Sequence, residues 1–182
     1  MNFQLEELEA SDGAEVYEML CRIGPEENSF TNPVHGMSYE EFKQWLIEQE
    51  KWGRGEDLPQ GYVRQSIYWL RADNGLVGVG KIRHALTENA RLKGGNVGYA
   101  IDPKHRGKGF GTVLLRLLLS KMREAGIDEI LLTIDKGNNA SLKVAQANGC
   151  VVTNENDERW YLSPENAEKR SDLDGVSVLL EQ

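Results

Sequence analysis

The sequence predicts an α/β fold, with a mixed central β-sheet flanked by helices, and three stretches carry that prediction. Asn96-Val97-Gly98-Tyr99-Ala100-Ile101 reads as a strand and leads into a glycine-studded turn, Asp102 to Thr112. A helix follows from near Gly109 toward Ala125, with Val113, Leu114, Leu117, Leu118 and Met122 at i, i+3 and i+4 spacings. Glu129-Ile130-Leu131-Leu132-Thr133-Ile134 is then a short, nearly continuous apolar run. That is the pattern of an interior strand buried on both faces and compatible with parallel pairing. Strand, turn, helix and strand in this order form the centre of an α/β domain.

The remaining elements follow in chain order. Phe3-Gln4-Leu5 alternates like a first strand. Ser11 is placed as an N-cap, with Ala14, Tyr17, Leu20 and Cys21 on one helix face and Gly24-Pro25 as the stop. Residues 25–33 form a polar loop carrying one aromatic, Phe30. Ser38 and Glu41 spell a capping box, with Met37 and Phe42 as the hydrophobic staple of a second helix. That helix is expected to fade into a Gly- and charge-rich stretch from Lys51 to Gly61. Ser66 to Arg71 and Leu76 to Ile82 read as a hairpin around Asp73-Asn74-Gly75. Lys93-Gly94-Gly95 is a loop, and Gly98 suggests a bulge or a close backbone approach. Asn138-Asn139-Ala140-Ser141 opens a short helix through Ala147, closed by Gly149, and a strand starts at Cys150. Arg159 to Leu162 and Val176 to Leu180 are strand candidates on either side of a charged excursion. Residues 163–175 of it are expected to be mobile.

At 182 residues the chain is expected to form one domain, 1–182. A formal net charge of −8 argues against nucleic acid as the main partner. No apolar run reaches the length of a membrane span, and the first residues lack a signal-peptide pattern, so a cytoplasmic location is expected. Two cysteines, Cys21 and Cys150, and three histidines show no metal-ligand spacing. Acidic residues concentrate before residue 60, an asymmetry that suits attraction of a cationic amine or ordinary solubility.

The turn carries the chemistry. Glycines ahead of a helix can present bare backbone N–H groups at its positive end, an arrangement suited to phosphate. A P-loop is excluded because Gly107-Lys108 is followed by Gly109. The dinucleotide fingerprint also fails, because its third glycine position, counted from Gly107, holds Thr112. A nucleotide-binding Rossmann enzyme is thereby disfavoured. Arg106-Gly107-Lys108-Gly109-Phe110-Gly111 instead matches [QR]-x-x-G-x-[GA], and Asn138 to Ser141 matches N-x-x-S. In this order and context the chain resembles the GNAT (GCN5-related) N-acetyltransferases, well over residues 66–153 and weakly before them.

The resemblance implies a single-domain GNAT fold and an enzyme that moves an acetyl group from acetyl-CoA directly to a primary amine of a small molecule or peptide. Arg106, Gly107, Lys108, Gly109, Phe110, Gly111 and Thr112 would hold the CoA pyrophosphate. Ala100 and Ile101, with Tyr99, would offer backbone groups to the pantetheine arm, and Asn138 and Ser141 would lie beside it, Ser141 mainly as a helix cap. The tyrosine that many relatives use as the acid falls at Ala145, and the glutamate that some use as a base falls near Gly95. The candidate catalytic residues are therefore His84, Glu27 and Tyr99, with no metal. A GNAT-like domain that senses acyl-CoA without turnover is the alternative, and the resemblance leaves room for a homodimer through the C-terminal strands.

Overall fold

The computed structural model describes residues 2–73 and 75–165. Its first sheet runs in the order β1 (Phe3–Glu7), β4 (Gln65–Ala72), β5 (Gly75–Arg83), β6 (Val97–Ile101), every neighbouring pair antiparallel. Helices cover both faces. Val16, Met19 and Leu20 of α1 (Ala14–Arg22) and Phe42, Trp45 and Leu46 of α2 (Tyr39–Arg54) pack against Trp69 and Val79. Leu114, Leu115, Leu118 and Met122 of α4 (Phe110–Glu124) pack against Leu70, Val77 and Ile82 on the other side. This double burial is why the two hairpin strands read as apolar nearly throughout. Between α1 and α2 the chain forms a small hairpin, β2 (Glu26–Glu27) and β3 (Phe30–Thr31). Its two-residue turn, Asn28-Ser29, has φ of +49° and +66°, as a type I′ turn requires.

A second antiparallel sheet runs in the order β7 (Leu132–Asp135), β9 (Arg159–Pro164), β8 (Cys150–Glu155), with α5 (Asn139–Ala147) between β7 and β8 in the chain. The sheets meet where β6 and β7 begin. Asn96 N–H donates to the Leu131 carbonyl at 2.8 Å, and Leu131 N–H donates to Asn96 Oδ1 at 2.8 Å. From that junction β6 and β7 part without a ladder between them, and the gap becomes the site.

Several expectations are corrected. α1 starts from Gly13 rather than from a Ser11 cap, so its buried face is Val16, Met19 and Leu20 while Ala14 is exposed. α2 continues to Arg54, because Gly55, at φ +79°, donates its N–H to the Lys51 and Trp52 carbonyls and ends it. A short helix, α3 (Glu88–Leu92), capped by the Thr87 side chain, precedes the Gly94-Gly95 loop. β5 and β6 pair without a register shift at Gly98; the shift lies at Leu70/Arg71. The run from Glu129 becomes a strand only at Leu132, with alternating burial and an antiparallel partner. Ser163 and Pro164 complete β9. The rest of the excursion beyond Glu165 and the Val176–Leu180 strand candidate lie outside the described residues. No helix among the described residues is long and apolar enough to cross a membrane.

Candidate functional site

The turn after β6 is built around one buried carboxylate. Asp102, fully buried, accepts Lys104 N–H at 3.1 Å and starts a 3₁₀ turn over Pro103–His105. It also accepts Arg22 Nε at 2.8 Å, tying the turn to α1. Burial pushes the Asp102 pKa up, but Arg22 and the Lys104 amide outweigh it and hold the carboxyl below the ordinary aspartate range. The chain then passes through Gly107 at φ +73° and Gly109 at φ +82°, the latter being the N-cap of α4. These left-handed conformations leave the backbone N–H groups of residues 107–111 without acceptors among the described residues. An unpaired N–H row at the head of a long helix fits a phosphate group.

Gly107, Gly109, Phe110 and Gly111 line a cleft of about 470 Å³. Tyr99, Ala100, Ile101, Arg106, Gly107, Gly109, Phe110, Gly111, Thr112, Asn138, Ser141 and Glu27 all border it, so the structure brings most of the sequence-derived candidates together. Lys108 does not line it; its Nζ folds back to the Lys104 carbonyl at 3.2 Å. His84 is not among the lining residues either. Its Nε2 lies 3.0 Å from Ser66 Oγ, and burial and the Arg64 charge lower its pKa. Glu27 borders the cleft with both oxygens occupied by Arg106, at 2.7 and 2.6 Å, and Arg106 Nε also donates to the Ile101 carbonyl at 3.0 Å.

Tyr99 and Ser141 meet at the inner end. The Tyr99 hydroxyl donates to Ser141 Oγ at 3.2 Å, and Asn138 Nδ2 donates to the same oxygen at 2.9 Å. Ser141 Oγ thus accepts twice, leaving its own hydrogen to point elsewhere. Burial raises the Tyr99 pKa, so its hydroxyl keeps its proton. The cap of α5 is Asn138, whose Oδ1 accepts Ser141 N–H at 3.1 Å, which corrects the capping role expected of Ser141. Ala145 is fully buried.

Within the gap, between β6 and β7, lies a second cavity of about 100 Å³, sharing Asn28, Tyr99, Asn138 and Ser141 with the cleft. Its charged lining residues are Lys81 and Arg83 on β5. Sequence reasoning passed over both. The available signal was two cations spaced i, i+2 in an otherwise apolar strand, which puts both charges on one face. Burial and the Arg83 charge push Lys81 down to about 8. A lysine pKa depressed by folding costs stability while the group is protonated, and the cost lifts as pH rises from about 8 toward its unfolded value. Lys81→Met is therefore expected to raise the melting temperature at pH 7 by about 2–4 °C, equivalent to ~1 kcal/mol. The gain should shrink by pH 10 in thermal melts across that range, and a loss of stability at pH 7 would count against the argument.

The family model described as an acetyltransferase (GNAT) domain matches residues 2–151. Among solved structures, the chain is similar to a ribosomal-protein-S5-alanine acetyltransferase from Vibrio fischeri, with 17% identity and a TM-score of 0.67 over 89% of this chain and 92% of that one. It is also similar to RimL, a ribosomal L7/L12 α-N-protein acetyltransferase in complex with coenzyme A, with 19% identity and a TM-score of 0.64 over 92% and 96%. The Campylobacter jejuni N-acetyltransferase PseH in complex with acetyl coenzyme A follows, with 14% identity and a TM-score of 0.58 over 88% and 96%. At these identities the likeness is one of fold. No curated protein matches the chain.

Proposed function

Because the chain belongs to the GNAT acetyltransferase family, we propose that it is an N-acetyltransferase that moves the acetyl group of acetyl-CoA directly to a primary amine of a small molecule or peptide. The observation that carries this reading is the row of unpaired N–H groups from Gly107 to Gly111, opening onto a cleft that ends at Tyr99 and Ser141. The pyrophosphate would sit on that row, with the pantetheine arm along the free edge of β6. The whole chain is read as one domain working in the cytoplasm.

In the reaction the amine nitrogen bonds to the acetyl carbon and the carbon–sulfur bond breaks. One proton leaves the amine and one reaches the thiolate. We assign thiolate protonation to Ser141, replenished from Tyr99, because Ser141 Oγ has its hydrogen free and the Tyr99 phenol starts protonated; Tyr99 then regains its proton from water, so the relay returns to its starting state. With Glu27 held by Arg106 and His84 against Ser66, the amine enters neutral and its proton passes to water.

The reading is tested by following thiol release from acetyl-CoA over a panel of amines, with CoA-dependent stabilisation measured in parallel. CoA at about a hundred times its Kd should add ~2.7 kcal/mol to stability. Ser141→Ala is expected to lower kcat about a hundredfold with little change in KM for acetyl-CoA. Unchanged kcat in that variant would remove Ser141 from the mechanism. The second reading, an acyl-CoA sensor, draws on the buried Ala145 and on Gly95, where the usual acid and base are missing. Stabilisation by CoA without acetylation of any amine would favour it.

A further inference from the structure

The small cavity in the gap between β6 and β7 has two charged lining residues, Lys81 and Arg83, and both are cationic. Two positions apart on one strand, they project to the same face about 7 Å apart at their Cα atoms. Lys81 Nζ donates to the Thr31 carbonyl at 2.8 Å, and Arg83 Nη1 donates to the Gly95 carbonyl at 3.1 Å. These carbonyls fix the side chains without neutralising them. Among the described residues no carboxylate pairs with either. Glu27 is taken by Arg106, and Asp135, which accepts from the cavity's Ser29, is ion-paired with Arg159 at 3.0 Å. Lys81 Nζ also lies 4.8 Å over the Phe30 ring, a partner that stabilises the charge without cancelling it. In a chain of net charge −8, two cations in one cavity with no carboxylate partner among the described residues are not a by-product of composition. Charge withdrawn from water is costly unless a partner arrives.

We propose that this cavity receives the anionic group of the acceptor, and that the acceptor is a small amine bearing a carboxylate beside its amino group, a free amino acid. This rests on the acetyl-transfer reading above and names its acceptor class. At about 100 Å³ the cavity is far smaller than the roughly 300–1,000 Å³ of a site that encloses a drug-sized ligand, so it takes a head group. Arg83 Nε and Nη2 make no hydrogen bond to the described residues, leaving one edge of the guanidinium open for a bidentate carboxylate. Tyr99 and Ser141 border both cavities, so an amine anchored here faces the reacting end of the donor cleft. A polyamine would bring like charge to Lys81 and Arg83, and a peptide N-terminus would offer an amide where the carboxylate belongs.

The test measures thiol release from acetyl-CoA with α-amino acids, their carboxamides, aminoalkylphosphonates of matched length and a polyamine. At least one amino acid should show kcat/KM about a hundredfold above its carboxamide. Lys81→Met and Arg83→Met should each lower the amino-acid value about tenfold or more while leaving the carboxamide value within about threefold. Lys81→Met, expected to fold at least as stably as the parent, guards against simple misfolding. Equal use of the carboxamide, or preference for the polyamine or the phosphonate, overturns the proposal. So does equal loss on acid and carboxamide in both variants, which would make the cations structural. If no amine is turned over, the acetyl-transfer reading fails, and calorimetry with N-acetyl amino acids reads the cavity separately. Binding that disappears in Arg83→Met then retains the carboxylate site, and absence of binding to the parent protein removes it.

Discussion

Gly95→Ala is expected to lower the melting temperature by about 10 °C or more, or to stop folded protein from accumulating. Gly95 has φ +58°, and a Cβ there would stand 2.1 Å from the Leu131 carbonyl oxygen and 2.9 Å from its carbon. The obstacle is backbone, so no rotamer change relieves it. The same carbonyl accepts Asn96 N–H, and Gly95 N–H donates to the Ala90 carbonyl at 2.8 Å, so the chain is held from both sides. The left-handed conformation alone costs an alanine roughly 1–2 kcal/mol, and forcing apart the junction of the two sheets raises the total above ~3 kcal/mol. For a chain of this size ~1 kcal/mol corresponds to about 2–4 °C. Thermal melts of the two proteins decide the matter, and a shift under about 2 °C would refute the steric argument. The same geometry explains why no glutamate stands here as a base: the position admits no side chain.

Arg22→Met should cost about 3–5 kcal/mol, because it leaves the fully buried Asp102 carboxylate without its cation. Asp102→Asn placed on top should recover part of the loss, since an amide can still accept the Lys104 N–H and carries no charge to bury. The pH dependence has a definite sign. Arg22 and the Lys104 amide hold the Asp102 pKa below its unfolded value, so its contribution is complete above about pH 4 and is lost as pH falls through the folded pKa. The deficit of Arg22→Met relative to the parent should therefore shrink in acid as the unpaired carboxyl takes a proton. Denaturant titrations at pH 7 and pH 4 measure both effects, and a deficit that stays constant would place the cost elsewhere than on the buried charge.

What could be read from the sequence was what local rules control. The capping box is one case: Glu41 N–H donates to Ser38 Oγ at 3.2 Å, and Ser38 N–H donates to Glu41 Oε2 at 2.7 Å. The run from β6 through the glycine turn to α4, β7 and α5 is another, because periodicity and positive-φ glycines act over short stretches. The donor half of the site followed from it. The second cavity did not, because Lys81, Arg83, Ser29 and Thr133 come from three separate segments that only the sheet junction assembles. Glu27 is a candidate by its loop and His84 by its strand end beside the cleft, and a long-range partner holds each: Arg106 for one, Ser66 for the other.

The hairpin turn Asn28-Ser29 borders both cavities and holds both residues at positive φ. Few side chains other than glycine, asparagine and aspartate adopt that backbone readily. One short loop thus serves as wall for both cavities, and its backbone narrows the residues it can carry. Divergence toward new acceptors is channelled away from this loop and into positions free of that constraint, above all Lys81 and Arg83 at the end of β5, where burial is only partial. Among homologues, changes of acceptor should therefore be written at the positions of Lys81 and Arg83 while the hairpin turn stays short and polar.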